Sequence, residues 1–313
     1  MKNKSLYTAI FERYHQALAN NAPDQAKQCK QLSPTGAMFV LAIDGMKNSP
    51  MAGLTEESLT ANFAGRLAAQ YTWAVECIGN KSEKPALWGE YSKNGQNYDS
   101  ESQRGADFAL VVPVNKNIVK IAIFQAKKAR IGQADISQGG SATAPDAQLE
   151  KLFDTAKTTS LAANISEEFW YTWVHYVFWS ETGICPKSIS LAKLESILVD
   201  RKKVDVSQPS FGSFADLLLS AMTEVGHMQG TPAVVDGWLV LGVTEATSFL
   251  PKLYALVDVI FADEEGEGGV FAEILNTASG NSLDQKIEPV DQKSVKAQEA
   301  ATVQITNRPK KGF

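Results

Sequence analysis

Two apolar runs separated by a turn constrain this chain more than any other feature. One continues Arg104-Gly105-Ala106-Asp107 into Phe108-Ala109-Leu110-Val111-Val112. The other spans Ile118 to Lys128, with Pro113, Asn115 and Asn117 between them. Both runs are rich in residues that favour strands, and the residues between them favour turns, so the pattern predicts an antiparallel hairpin. Asp107 then lies near the start of one strand, against Gln125 and Lys127 near the end of its neighbour. Side chains alternate along a strand, so Gln125 and Lys127 share a face with Ile121 and Ile123. Polar groups on such a face need partners, because unpaired burial costs roughly 1–3 kcal/mol. An acid, an amide and an ammonium converging there can satisfy one another through a metal ion or water.

Plainer readings stand beside these. Asp107 follows Gly105-Ala106, where a turn-initiating aspartate is ordinary. Lys128 and Arg130 end a strand that leaves the core, where solvated cations are expected. Upstream, Leu54-Thr55-Glu56-Glu57-Ser58-Leu59 opens a helix with Thr55 as N-cap and Leu54 and Leu59 as a hydrophobic staple. Glu56, Leu59, Phe63, Leu67 and Gln70 follow helical spacing, so Glu56 begins the inward stripe while Glu57 points away. Both acids also complement the helix dipole, which suffices to explain Glu57. Trp88 to Ser92 reads as a strand and Lys93 to Arg104 as a polar loop. Glu90 faces either side, and Glu101 is read as a solvated loop acid beside the alternative of a supporting role.

Asp107, seventeen intervening residues, then Gln125-Ala126-Lys127 resembles the core motif of the PD-(D/E)XK nuclease superfamily. The Gln-x-Lys triplet is similar to that of Mrr-like restriction endonucleases. The resemblance covers roughly residues 54–130, with weaker support to about 180. It implies an α/β fold with a restriction-endonuclease-like mixed central sheet flanked by helices, supplemented by further helices and strands. It implies a DNA endonuclease using Mg2+, with Mn2+ as an alternative, in a prokaryotic defence or restriction system. Asp107, Gln125, Lys127 and Glu56 would be the catalytic residues, and Asp107, Glu56 and Gln125 the metal ligands. Magnesium suits that work because it takes oxygen ligands and bridges to substrate phosphate. The main-chain carbonyl of Ala126 could add a donor, and Lys127 would orient the attacking water or steady developing negative charge. Lys120, Lys128, Arg130 and Arg104 would contact nucleic acid, with Lys116 nearby. The competing reading is a catalytically silent subunit on the same fold, serving a partner protein of a defence complex. A homo-oligomer would concentrate the basic groups further.

Composition narrows the setting. The chain has 313 residues and a formal net charge of −5, which argues against coating nucleic acid by bulk charge alone. Cys29, Cys77 and Cys185 are odd in number and far apart, so neither a disulfide framework nor a zinc spacing is present. His15, His175 and His227 form no metal signature, and His175 reads as a core residue. No apolar run approaches the ~20 residues that span a bilayer, and no signal-type apolar core follows Met1-Lys2-Asn3-Lys4-Ser5. A reducing cytoplasm and no membrane partner are expected.

Residues 1–53 read as an N-terminal helical extension, with a helix over 5–20 and a mixed connector over 34–50 containing the apolar run Ala37 to Ile43. Residues 54–180 read as the nuclease-like core. Within it, Gly132 to Pro145 is a small-residue loop and Asp146 to Ala163 a helix. Gln148 opens that helix as an exposed amide by default, with substrate contact as the alternative. Phe169 to Trp179 is an aromatic strand, either buried at the centre or stacking bases. Residues 181–279 read as an α/β portion packed on the core. It would hold helices near Leu191 to Leu198 and Phe214 to Met222, a strand at Trp238 to Val243, and either element at Phe249 to Phe261. Asp263 to Gly269 reads as a loop and 280–313 as a mobile tail. No phosphate-loop motif supports an intrinsic ATP motor.

Overall fold

A computed structural model describes residues 6–26, 33–49, 53–78, 86–91, 100–115, 117–136, 147–198, 203–223, 232–243, 246 and 253–255. The helices are α1 (Leu6–Asn21), α2 (Pro23–Ala26), α3 (Pro34–Lys47), α4 (Glu56–Ile78), α5 (Glu101–Arg104), α6 (Ala147–Ala162), α7 (Leu191–Ile197) and α8 (Phe214–Ser220), with a 3-10 turn at Glu167–Phe169. The strands are β1 (Leu87–Glu90), β2 (Phe108–Pro113), β3 (Ile118–Arg130), β4 (Gln133–Asp135), β5 (Val174–Trp179), β6 (Lys187–Ser190), β7 (Lys203–Asp205), β8 (Gly212–Ser213), β9 (Ala233–Val235), β10 (Trp238–Gly242) and β11 (Leu253–Ala255).

The hairpin forms from β2 and β3, with Phe108 opposite Phe124 and Pro113 opposite Val119. Asn115 makes the turn by accepting at its side-chain oxygen from the N–H groups of Asn117 and Ile118. Among the described residues the sheet runs β11-β1-β2-β3-β5-β6-β8. Strand β3 is long enough to hold two neighbours along one edge: β10 pairs with its first half and β5 with its second. All these pairs are antiparallel except β3 with β5. A parallel pair needs a crossover, and α6 lies in that connection. The result is a mixed α/β fold whose open mixed sheet is flanked by helices.

Alternation along the strands divides the core in two. Trp88, Phe108, Leu110, Phe124, Ala126 and Trp179 pack against α1, α3, α4 and α8. Ala109, Val111, Ile121, Ile123, Tyr176 and Phe178 pack against α6 and α7. The stretch expected to be a mixed connector is instead the buried helix α3. Ser33 caps it by accepting from the Gly36 N–H, and Pro34 occupies the first helical position. Residues Ala37 to Ile43 are all buried, so no polar face breaks the run into a helical period.

The aromatic stretch is likewise shorter as a strand than expected. β5 begins at Val174, and Glu167–Phe169 forms the 3-10 turn before it. Trp173, Tyr176, Phe178 and Trp179 are fully buried, so these rings belong to the core and offer no face to nucleic acid. The described residues all fall within one compact unit. The expected tail, the Asp263 to Gly269 loop, most of Phe249 to Phe261 and most of the Gly132 to Pro145 loop lie outside the described residues. Among the described residues no helix is long and apolar enough to cross a membrane.

Candidate active site

The site forms where β2 begins and β3 ends its second half. Asp107 precedes β2, held there by its N–H donating to the Phe124 carbonyl at 2.9 Å. Its Oδ2 accepts from Gln125 Nε2 at 2.7 Å and from the Ala126 N–H at 2.7 Å. Gln125 also donates to the Ala126 carbonyl at 3.1 Å. The hairpin thus brings together the acid and amide that the sequence spacing points to, and both Gln125 and Lys127 are buried.

Lys127 joins two helices. Its Nζ donates to Glu56 Oε1 at 3.3 Å and to Gln148 Oε1 at 3.1 Å. Glu56 begins α4 on the inward side, as the spacing predicts, above fully buried Leu59, Phe63 and Leu67. Thr55 accepts from the Ser58 N–H at its side-chain oxygen, which caps the helix start. Glu56 Oε2 accepts from the main-chain N–H of Lys128 at 3.1 Å, clamping the helix to β3. Glu57 is exposed, as its place on the outer stripe requires.

Two residues given a solvated default belong to the site. Gln148 Nε2 donates to Gln125 Oε1 and to Glu101 Oε1, each at 3.1 Å. Since Lys127 can only donate, Gln148 turns its oxygen to the lysine and its NH2 to the two acceptors. Gly105 makes this possible. It ends α5 at φ +72°, and a Cβ there would meet the Gln148 carbonyl at 2.5 Å. Only glycine lets α6 approach closely enough to set Gln148 between Glu101 and Gln125. A sequence signal existed: a glycine between a short polar segment and a strand marks a close backbone approach.

The charge balance is uneven. Burial, with the Glu101 charge adding to it, pushes the Asp107 carboxyl up to about 7. Burial also raises Glu56, against the opposing pull of Lys127. Three acids therefore crowd one ammonium. A hard divalent cation fits that deficit, and the available donors are oxygens: Asp107 Oδ1, the Glu56 carboxyl, Gln125 Oε1 and the Ala126 carbonyl. Among the described residues no three His, Cys, Asp or Glu side chains form a metal cluster by themselves. Carboxylate pairs, neutral carbonyls and substrate oxygens would have to share the ion.

The cations expected to hold nucleic acid separate. Arg130 is exposed and Lys128 half-buried, and both line a cleft of about 460 Å3 with Gly53, Leu54, Thr55, Glu56 and Asp135. Lys128 Nζ donates to the Leu54 carbonyl at 2.7 Å. Arg104 is half-buried at the end of α5, and its carbonyl accepts from Thr155 Oγ1. Lys120 does not belong with them. It is fully buried, and its Nζ donates to the Ser220 and Thr223 carbonyls and to Thr223 Oγ1, so it offers no exposed cation to a phosphate backbone. Lys116 lies outside the described residues. Glu90 is exposed on β1, and His175 is a core residue whose Nε2 meets the Gly237 carbonyl at 2.8 Å.

The chain matches no protein-family model, and no curated protein matches it.

Proposed function

We propose that this chain is a metal-dependent DNA endonuclease that hydrolyses phosphodiester bonds on a restriction-endonuclease-like core. The observation that carries the reading is the convergence of Asp107, Gln125, Lys127 and Glu56, of which Glu56 also lines an open cleft. The element order supports it as well: α4, β1, the β2-β3 hairpin and α6 follow one another as helix, strand, hairpin and helix. That order is what the resemblance to PD-(D/E)XK nucleases implies. A role in prokaryotic defence or restriction rests on the resemblance alone, and a cytoplasmic setting on the odd number and wide spacing of the cysteines.

Bound magnesium or manganese would neutralise phosphoryl oxygens and make a water more acidic. The residues of the chain do the rest. Asp107 and Glu56 supply the charged oxygens, and Gln125 a neutral one. Lys127, held between Glu56 and Gln148, presents an ammonium that would orient a water or steady charge on the phosphoryl group. Arg130 and Lys128 at the cleft steer the backbone.

A second reading is a silent nuclease-fold subunit of a defence complex. The observation favouring it is the polar network in which Gln125 and Gln148 hydrogen-bond directly to Asp107 Oδ2, Glu101 and Lys127. The two readings part on supercoiled plasmid. The enzyme nicks or linearises it with magnesium or manganese and stops in EDTA. Cleavage that persists unchanged in Asp107→Ala assigns the activity elsewhere, and no cleavage with any metal favours the silent subunit. Calorimetry adds a metal-specific arm: Gln125→Glu adds a charge at nearly constant shape and should tighten metal binding about tenfold or more.

A further inference from the structure

Tyr176 is fully buried, yet among the described residues its hydroxyl has no hydrogen-bond partner. An orphaned buried hydroxyl is uncommon enough to need an explanation, and an internal water is the ordinary one. Its place in the fold says where that water belongs. Tyr176 lies on β5 as the register partner of Gln125, and Phe178 two residues on is the partner of Lys127. Residues 125, 127, 176 and 178 therefore share one face, and the Tyr176 and Phe178 rings stack beneath the site with centroids 6.0 Å apart.

The phenol has one O–H to donate, and its register partner Gln125 donates in turn to Asp107 Oδ2, which puts the hydroxyl on the face that holds the site. On the other side, Asp107 Oδ2 takes both of the hydrogen bonds that Asp107 accepts, which leaves Oδ1 open to a donor. A water between the two has a donor on one side and an acceptor on the other.

We propose that Tyr176 is a positioning residue of this site, its hydroxyl holding a buried water against Oδ1 of Asp107. The water fixes the Asp107 carboxyl in the plane set by Gln125 and the Ala126 N–H, so that the acid is oriented before substrate arrives. The positioning role rests on the nuclease reading, whereas the hydration stands on the buried hydroxyl and its neighbours.

Tyr176→Phe removes one oxygen and keeps the ring. A crystal structure of the wild-type protein should show an ordered water within hydrogen-bond distance of Tyr176 Oη and Asp107 Oδ1, lost in the variant. The urea midpoint should fall or hold. Plasmid cleavage should lose about tenfold in kcat with KM for DNA unchanged, a split that loosened packing would not produce. A dry hydroxyl in the wild type, together with a urea midpoint that rises in Tyr176→Phe, shows a plain orphan and overturns the proposal. A water present with kcat unaltered overturns the positioning role. A wild-type protein that cuts nothing overturns the nuclease reading and the positioning with it, while the water is still decided by the crystal structure.

Discussion

Lys120 and Lys127 lie on the same strand, β3, and both are buried, but the two ends of that strand treat them differently. Lys120 faces the side packed by α8, where main-chain carbonyls of Ser220 and Thr223 and the Thr223 hydroxyl take its three protons. Burial brings it down to about 8, with Asp236 opposing. Lys127 faces the other side, bound to Glu56 and Gln148, and Glu56 in turn lines an open cleft. One end has an ammonium whose three protons go to two carbonyls and a hydroxyl, with Asp236 as the acid nearby. The other has more acids than cations and room for an incoming ligand. Burial of a lysine is therefore no sign of function; the imbalance of charge around it is.

The largest expected effect tests that division directly. Lys127→Ala should lower cleavage by about 10²–10³-fold, the scale of losing one preorganised donor, and leave the chain folded. Lys120→Ala should do the reverse. It strands two carbonyls and opens a cavity, lowering stability by roughly 2–5 kcal/mol while the folded fraction keeps its activity. Cleavage assays paired with urea melts decide it. Full activity in Lys127→Ala, or an inactive but fully stable Lys120→Ala, breaks the comparison.

The pH response of the two ends should have opposite slopes in separate windows. The Asp107 carboxyl moves from its ordinary 3.8 up to about 7 on folding. Between those values the native state holds a proton that the unfolded chain has released. Metal-free stability should therefore fall as pH rises through that window, by up to about 1.4 kcal/mol per unit. Glu56, raised as well, adds in the same direction. Lys120 moves from 10.5 down to about 8, so between those values the unfolded chain holds the extra proton and stability rises with pH. Urea midpoints across both windows measure this. Asp107→Asn should flatten the lower slope and Lys120→Met the upper one; slopes unchanged in both variants would remove the electrostatic distinction.

The smallest effect lies just past the Lys127 end of β3. Ile131 turns the chain from β3 to β4 at φ +50°, 86% exposed, a conformation that a β-branched residue resists. Ile131→Asn should stabilise the protein by about 1 kcal/mol, read as a higher urea midpoint, with cleavage unaltered. A loss of cleavage would extend the functional end of the strand beyond Arg130.

Much of the site could be read from the chain because its parts are local. The Asp107 to Gln125 pairing needs only a period of two and a short turn, and Glu56 needs only Thr55 as cap and the inward stripe. Even the misassignment of Lys120 was avoidable: alternation places it with Ala122 and Phe124, opposite Gln125 and Lys127. Gln148 and Glu101 were harder. They meet across 47 positions of sequence, through a close approach of α6 that depends on Gly105. No periodicity within either segment carries that contact.

What the sequence determined by itself were the hairpin, the capped helix and the residue types facing inward, because turn chemistry, capping and alternation act over a few residues. The tertiary structure decided which of the apolar runs became central. Ala37 to Ile43 is apolar on every side and shows no period, and it became a buried helix only because the sheet, α4 and α8 enclose it. The same docking decided the charge balance of the site. Whether an acid holds its proton depends on the water it loses and the charges brought beside it, and both are set by elements far apart in the chain.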